Sequence, residues 1–244
     1  MEQQEKNEIR LELPEKVRQI IEQIQKHGFE AYAVGGCVRD SLLGRTPDDW
    51  DITTSAKPQE VKAIFPRTID TGIEHGTVTV MMGKEGFEVT TYRIDGAYLD
   101  GRHPESVEFS SNLVEDLKRR DFTINAMAYN EQQGLVDVFE GIEDMQRKVI
   151  RCVGNPKERF GEDALRMMRA IRFSAQLGFE IEEETKNLKK YKDELENVLK
   201  ESDCLSMVDN SRICSLQKIV ERMANEIFLK KEFLLDLKYM KGEN

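Results

Sequence analysis

Apolar side chains at Val17, Ile20, Ile21 and Ile24 recur three and four positions apart. That spacing predicts an amphipathic helix over "LPEKVRQIIEQIQKHG", with Pro14 in the first turn and Gly28 at the stop. The next apolar run, "FEAYAV", is short, continuous and ends at Gly35-Gly36, as a buried strand would. "VRDSLL" predicts a short helix ended by Gly44, "DWDITTSA" a second strand, and "KPQEVKAIF" a helix. "GTVTVMM" and "FEVTTYR" alternate with period two around "GKEG", the signature of a hairpin. "NLVEDLKRRDFTINAMAYN" predicts a broken helix, and "GLVDVF" and "KVIRCV" predict short strands. After "GNPKER" the pattern turns helical: "EDALRMMRAIRFSAQLG", "EEETKNLKKYKDELENVLK" and "LQKIVERMANEIFLKKEFLLDLKYM", with an irregular "ESDCLSMVDNSRIC" before the last. The expected class is α+β. A mixed sheet of about five strands with helices occupies residues 1–153, and an all-α region occupies 154–244.

Composition narrows the function. A net charge of −10 over 244 residues is no general field for nucleic acid, so any RNA contact needs a local basic patch. The polar N-terminus is no signal peptide, and no apolar run reaches the roughly 18 residues of a membrane span. Cys37, Cys152, Cys204 and Cys214 are scattered, as are His27, His75 and His103. That fits reduced thiols in a cytoplasmic protein and argues against a zinc or His-ligated site.

The densest chemistry lies in "AVGGCVRDSLLGRTPDDWDITTSA". Asp49 and Asp51 are two apart, so on a strand both carboxylates face one side. Paired hard oxygens suit magnesium shared with substrate phosphates, and Glu88 in "FEVTTYR" is the candidate third carboxylate. The alternative is a solvated acidic turn after Pro47. Gly35 and Gly36 open a helix where phosphate could approach the backbone, or make a simple tight turn. Arg39 is badly placed for the helix dipole, which makes sense if it grips phosphate.

Arg166, Arg169 and Arg172 lie three apart on an otherwise apolar helix. They either line a cleft or pair with acids on neighbouring helices. Asp163 and Arg166, one turn apart, offer one acceptor and a fork of donors. Cytosine and adenine each present a ring acceptor beside an amine, which matches that pair. Uracil and guanine present the reverse.

"VGGCVRDSLLG", "DWDITTSA", "EVTTYR", "DGRHPESVEF", "RRDFTINAMAYN" and "EDALRMMRAIRF" together resemble the class II tRNA nucleotidyltransferases, or CCA-adding enzymes, whose superfamily includes the bacterial poly(A) polymerases. The match runs in order from about Tyr32 to Phe179. The resemblance implies a DNA-polymerase-beta-like head and a helical neck. It implies magnesium on Asp49 and Asp51 with Glu88 nearby, and triphosphate contacts from Gly36 and Arg39. It adds Arg120 and Asp121 to the nucleotide site, base reading by Asp163 and Arg166, and further nucleotide contacts from Arg169 and Arg172. "RIDGAYLDGRHPESVEF" resembles the loop that helps switch from C to A addition. The implied activity is transfer of CMP and AMP from CTP and ATP to the 3′ end of tRNA.

Three departures accompany the resemblance. Full-length members continue into body and tail domains that hold tRNA, whereas this chain stops at Asn244. The neck motif in "VERMANEIF" has Ile219 where a capping Ser is usual, and the segment before it is long. The alternatives are a poly(A)-type or partial (CC- or A-adding) polymerase, and a truncated nucleotide-binding remnant or subunit that works with a partner chain or as a homodimer.

Overall fold

In the computed structural model, residues 9–96, 106–163 and 165–186 are described. They form two compact units, one from residues 9–96 with 106–147 and one from residue 148 onward.

The first unit begins with α1 (Glu15–Lys26), which buries Val17, Ile20, Ile21 and Ile24 as their spacing predicts. The chain then enters β1 (Ala31–Val34), α2 (Gly36–Leu42), β2 (Ile52–Thr54) and α3 (Pro58–Ile64). Three strands follow in a meander, β3 (Thr68–Gly72), β4 (Thr77–Met82) and β5 (Glu85–Thr91). A separate hairpin pairs β6 (Arg93–Asp95) with β7 (Val107–Phe109). After α4 (Leu113–Lys118) and a 3-10 turn at Thr123–Asn125 come β8 (Ala128–Asn130), β9 (Gly134–Val136) and α5 (Gly141–Arg147).

Seven strands form one mixed sheet in the order β3-β4-β5-β2-β1-β8-β9. Only β2 and β5 run parallel; the other pairs are antiparallel. Period two along β1 splits the core. Ala31 and Ala33 join the α1 side chains in one apolar cluster, whereas Tyr32 and Val34 join Leu113 and Leu117 of α4 in another. Both faces of the central strand are therefore covered, which explains why "FEAYAV" reads as a continuous apolar run.

The sheet is wider than the pattern predicts. The strand β3 carries little apolar signal because it is an exposed edge, with Ile69 52% accessible. "AYN" is strand β8, not helix: its three residues are fully buried between β1 and β9, and a central strand this short shows no alternation. The predicted broken helix over "NLVEDLKRRDFTINAMAYN" survives as α4 and the 3-10 turn at Thr123–Asn125.

The second unit contains β10 (Val149–Ile150), α6 (Pro156–Glu162), α7 (Leu165–Leu177), β11 (Glu180–Ile181) and α8 (Glu183–Lys186). A parallel β10–β11 ladder adds a strand to a region expected to be all helical. Gly178, with φ of +71°, follows α7 as the predicted stop. The later helices, the irregular stretch and Ile219 lie outside the described residues, as does the middle of the "RIDGAYLDGRHPESVEF" loop.

Candidate active site

Asp49 and Asp51 stand just before β2 rather than on it, which corrects the strand placement. The ladder with β1 starts at Ile52 opposite Ala33, and the Asp51 carbonyl accepts from the Val34 amide at 3.0 Å. Register brings Glu88 in beside them. Ile52 is level with Val89 in the parallel β2–β5 pair, so Asp51 and Glu88 each lie one position earlier. Ile52 and Val89 point into the α1-side core, leaving Asp51 and Glu88 to the opposite face. A cleft of about 870 Å³ opens beside Asp48, Asp49, Trp50, Asp51 and Glu88.

These carboxylates feel one another. Asp51 stays accessible to solvent, yet its pKa is raised, first by desolvation and next by the charge of Asp49, with Glu88 adding and Arg120 opposing. A carboxylate held against like charge is stabilised by a cation. Among the described residues, however, no three acidic, histidine or cysteine side chains are gathered closely enough to hold a metal ion. The three-carboxylate cluster is thus not preformed. A two-carboxylate seat completed by substrate phosphates is what the donor set fits.

Within reach of Asp51 through the charge of Arg120 lies an arginine network. The Gly35 turn has φ of +84°, open to glycine but strained for other residues. A Cβ at Gly35 would come 3.1 Å from Arg120 Nη1, so the guanidinium packs on the bare turn. Arg120 Nη2 donates to Asp116 Oδ2 at 3.3 Å, while its buried Nε has no hydrogen-bond partner. An orphaned guanidinium donor is a fitting seat for an anionic oxygen.

Arg39 is 4% exposed, which the phosphate-gripping expectation did not anticipate. Its Nε and Nη2 fork onto Asp40 at 3.0 and 2.8 Å, and its Nη1 donates to Asn125 Oδ1 at 2.6 Å. Asn125 Nδ2 in turn donates to Asp121 Oδ1 at 3.2 Å, and that oxygen also accepts from the Phe122 amide. Arg39 and Asp121 therefore meet through Asn125, tying α2 to the segment after Arg120.

Asp116 escaped the sequence reading, and it anchors the network. It is fully buried. It accepts from Arg119 Nε and Nη2 at 2.9 and 2.7 Å, from Arg120, and from Thr53 Oγ1 at 3.1 Å. Burial alone would raise its pKa, but the charges of Arg120 and Arg119 outweigh burial and bring it below the usual value. The available signal was its spacing, three and four residues before Arg119 and Arg120 on a helix.

The remaining candidates belong to the second unit. Asp163 follows α6, and its Oδ1 accepts from the Leu165 amide at 2.9 Å, capping α7. Arg166, 6% exposed, donates from Nη1 to the Arg159 carbonyl at 3.0 Å and to Glu162 Oε2 at 2.7 Å. Arg169 and Arg172 are exposed and lie 5.4 and 4.8 Å from the Phe173 ring centre. The expected basic stripe thus divides into a buried, paired arginine and two surface arginines flanking an aromatic ring.

Residues 31–151 match the family described as the poly A polymerase head domain. The CCA-adding enzyme of Lactobacillus delbrueckii subsp. bulgaricus is 56% identical over 167 residues, covering 68% of this chain and 42% of that relative. The crystal structure of Bacillus stearothermophilus CCA-adding enzyme in complex with CTP aligns with a TM-score of 0.65 at 44% identity, covering 83% of this chain and 47% of that one. The Thermotoga maritima CCA-adding enzyme complexed with tRNA-CCA aligns with a TM-score of 0.62 at 27% identity, covering 88% and 52% of the two chains. The chain spans less than half the length of the Lactobacillus relative.

Proposed function

This chain belongs to the superfamily of CCA-adding enzymes and poly(A) polymerases, and from that membership we propose that it transfers CMP and AMP from CTP and ATP to the 3′ end of tRNA. The terminal ribose hydroxyl attacks the α-phosphorus, a new phosphodiester forms, the α–β phosphoanhydride breaks, and pyrophosphate leaves. The observation that carries this reading is that Arg120 packs on the Gly35 turn while its charge reaches Asp51, which also feels Asp49 and Glu88.

Each of these groups has a task. Asp49 and Asp51 would hold magnesium together with the triphosphate, and Glu88 stands at the register position for a third contact. Bound there, magnesium supplies a lowered pKa at the attacking hydroxyl and neutralises charge on the phosphates. Gly35 and Gly36 let phosphate oxygens approach the backbone, and Arg120 meets them with a guanidinium that Asp116 orients. Arg39, clamped by Asp40 and Asn125, sets the position of α2 and with it the glycine turn. Asp121 supports the same turn through Asn125.

In this reading residues 1–153 are the catalytic head and 154–244 a helical neck. Asp163 and Arg166 read the edge of the incoming base, accepting from its amine and donating to its ring nitrogen. Arg169 and Arg172 add further nucleotide contacts. The setting is cytoplasmic, in keeping with the buried free thiols of Cys37 and Cys152. No described helix is long and apolar enough to cross a membrane.

Product analysis on a tRNA transcript lacking its 3′ CCA, with magnesium, CTP and ATP, tests the proposal. Addition of C, C and A in order supports it. A run of A residues points instead to a poly(A)-type enzyme. No product with ATP still bound points to a nucleotide site that works only with a partner chain.

A further inference from the structure

We infer that Arg159 is a positioning residue for base selection, acting through Glu162 on the guanidinium of Arg166. The inference rests on the base-reading role proposed above for Asp163 and Arg166.

A guanidinium is planar, and each Nη carries two hydrogens. Arg166 Nη1 has two acceptors, the Arg159 carbonyl at 3.0 Å and Glu162 Oε2 at 2.7 Å. Two acceptors on one nitrogen fix both the position and the tilt of the plane. The carbonyl is held by α6, but a glutamate side chain rotates unless something holds it. Arg159 Nη2 does so, meeting the other oxygen, Glu162 Oε1, at 2.5 Å. The side chains of Arg159, Glu162 and Arg166 are 18%, 24% and 8% exposed, so water is a poor substitute for either contact. The main chain of Arg159 serves both base-reading residues, because its carbonyl also faces the Asp163 amide at 3.3 Å.

The chemistry explains why this matters. Telling cytosine and adenine from uracil and guanine depends on the order of donor and acceptor along one edge. A guanidinium free to tilt can meet a carbonyl as readily as a ring nitrogen. Holding the plane of Arg166 therefore excludes the wrong bases more than it binds the right ones.

Arg159→Ala keeps the carbonyl and removes the strap on Glu162, and the comparison with Glu162→Gln and the double variant isolates the part of the effect that runs through Glu162. Affinities of the 244-residue chain for CTP, ATP, UTP and GTP, measured with magnesium by isothermal titration, give the readout. Expected is a roughly tenfold fall in the CTP-over-UTP and ATP-over-GTP preferences, the size of coupling usual for residues in one contact network. Arg159→Lys should restore part of the preference, and Glu162→Gln should reproduce the loss without adding to it in the double variant. If Arg159→Ala does not fold, the Lys and Gln variants carry the test. Unchanged preferences, or an equal loss of affinity for all four nucleotides, would overturn the inference. Asp163→Ala and Arg166→Ala separate the two levels. If those variants alter the preferences and the Arg159 variants do not, the inference alone fails. If none does, or the wild-type chain shows no preference, the base-reading role fails with it.

Discussion

Arg120 Nη1 lies 3.1 Å from the point a Cβ would occupy at Gly35. A Cβ there would fit only if the guanidinium gave way by a few tenths of an ångström. Gly35→Ala should act twice. It strains a backbone at φ of +84° and shifts the Arg120 guanidinium where it rests against the turn. We expect a loss of about 1–3 kcal/mol in stability and a weakened affinity for triphosphates. Urea unfolding and CTP titration measure the two effects separately, and a variant with normal CTP affinity would remove Arg120 from the phosphate seat.

Asp116→Asn tests the buried anchor. The variant removes the buried charge that Arg119 and Arg120 share, so stability should fall by about 2–4 kcal/mol. The pH dependence has a definite sign. The folded pKa of Asp116 lies below its ordinary value of 3.8, so its contribution is complete above that value and is lost as the pH falls through the folded pKa. Wild-type chain should therefore lose stability on acidification below about pH 4 more steeply than Asp116→Asn. Parallel curves in urea unfolding at graded pH would contradict this.

Asp51 predicts the opposite sign. Its folded pKa is raised, so without metal it favours the fold in its protonated form, and that contribution is lost as the pH rises through the folded pKa. In chelator at neutral pH, Asp51→Asn should melt at or above the wild-type temperature. Added magnesium should then raise the wild-type melting temperature and leave that of the variant unmoved. A variant that responds to magnesium like the wild type would place the ion elsewhere.

Much of this was legible in the sequence because it is periodic or local. The stripe of Val17, Ile20, Ile21 and Ile24, the glycine turn and the paired aspartates all carry their signal within a few residues. The strand β8 did not, because three residues buried on both faces show no alternation, and β3 did not, because an exposed edge needs little apolar surface. In the site, sequence spacing picked out charged residues without showing which of them are spent on one another. Arg39 is locked to Asp40 and Asn125, and Arg166 to Glu162, whereas Asp116 binds Thr53 from 63 positions away. The Arg39–Asn125 and Asp116–Thr53 pairings, 86 and 63 positions apart, depend on the fold bringing distant elements together.

The measurement that bears most directly on the central claim is single-turnover incorporation of labelled CMP into a tRNA lacking its 3′ CCA, comparing wild type with Asp49→Ala and Asp51→Ala. Wild-type chain should incorporate CMP in a magnesium-dependent way, with a loss of at least about a thousandfold in each variant, as expected when a metal-holding carboxylate is removed from a phosphoryl-transfer site. Incorporation that survives in both variants would contradict the assignment of these aspartates as the catalytic centre.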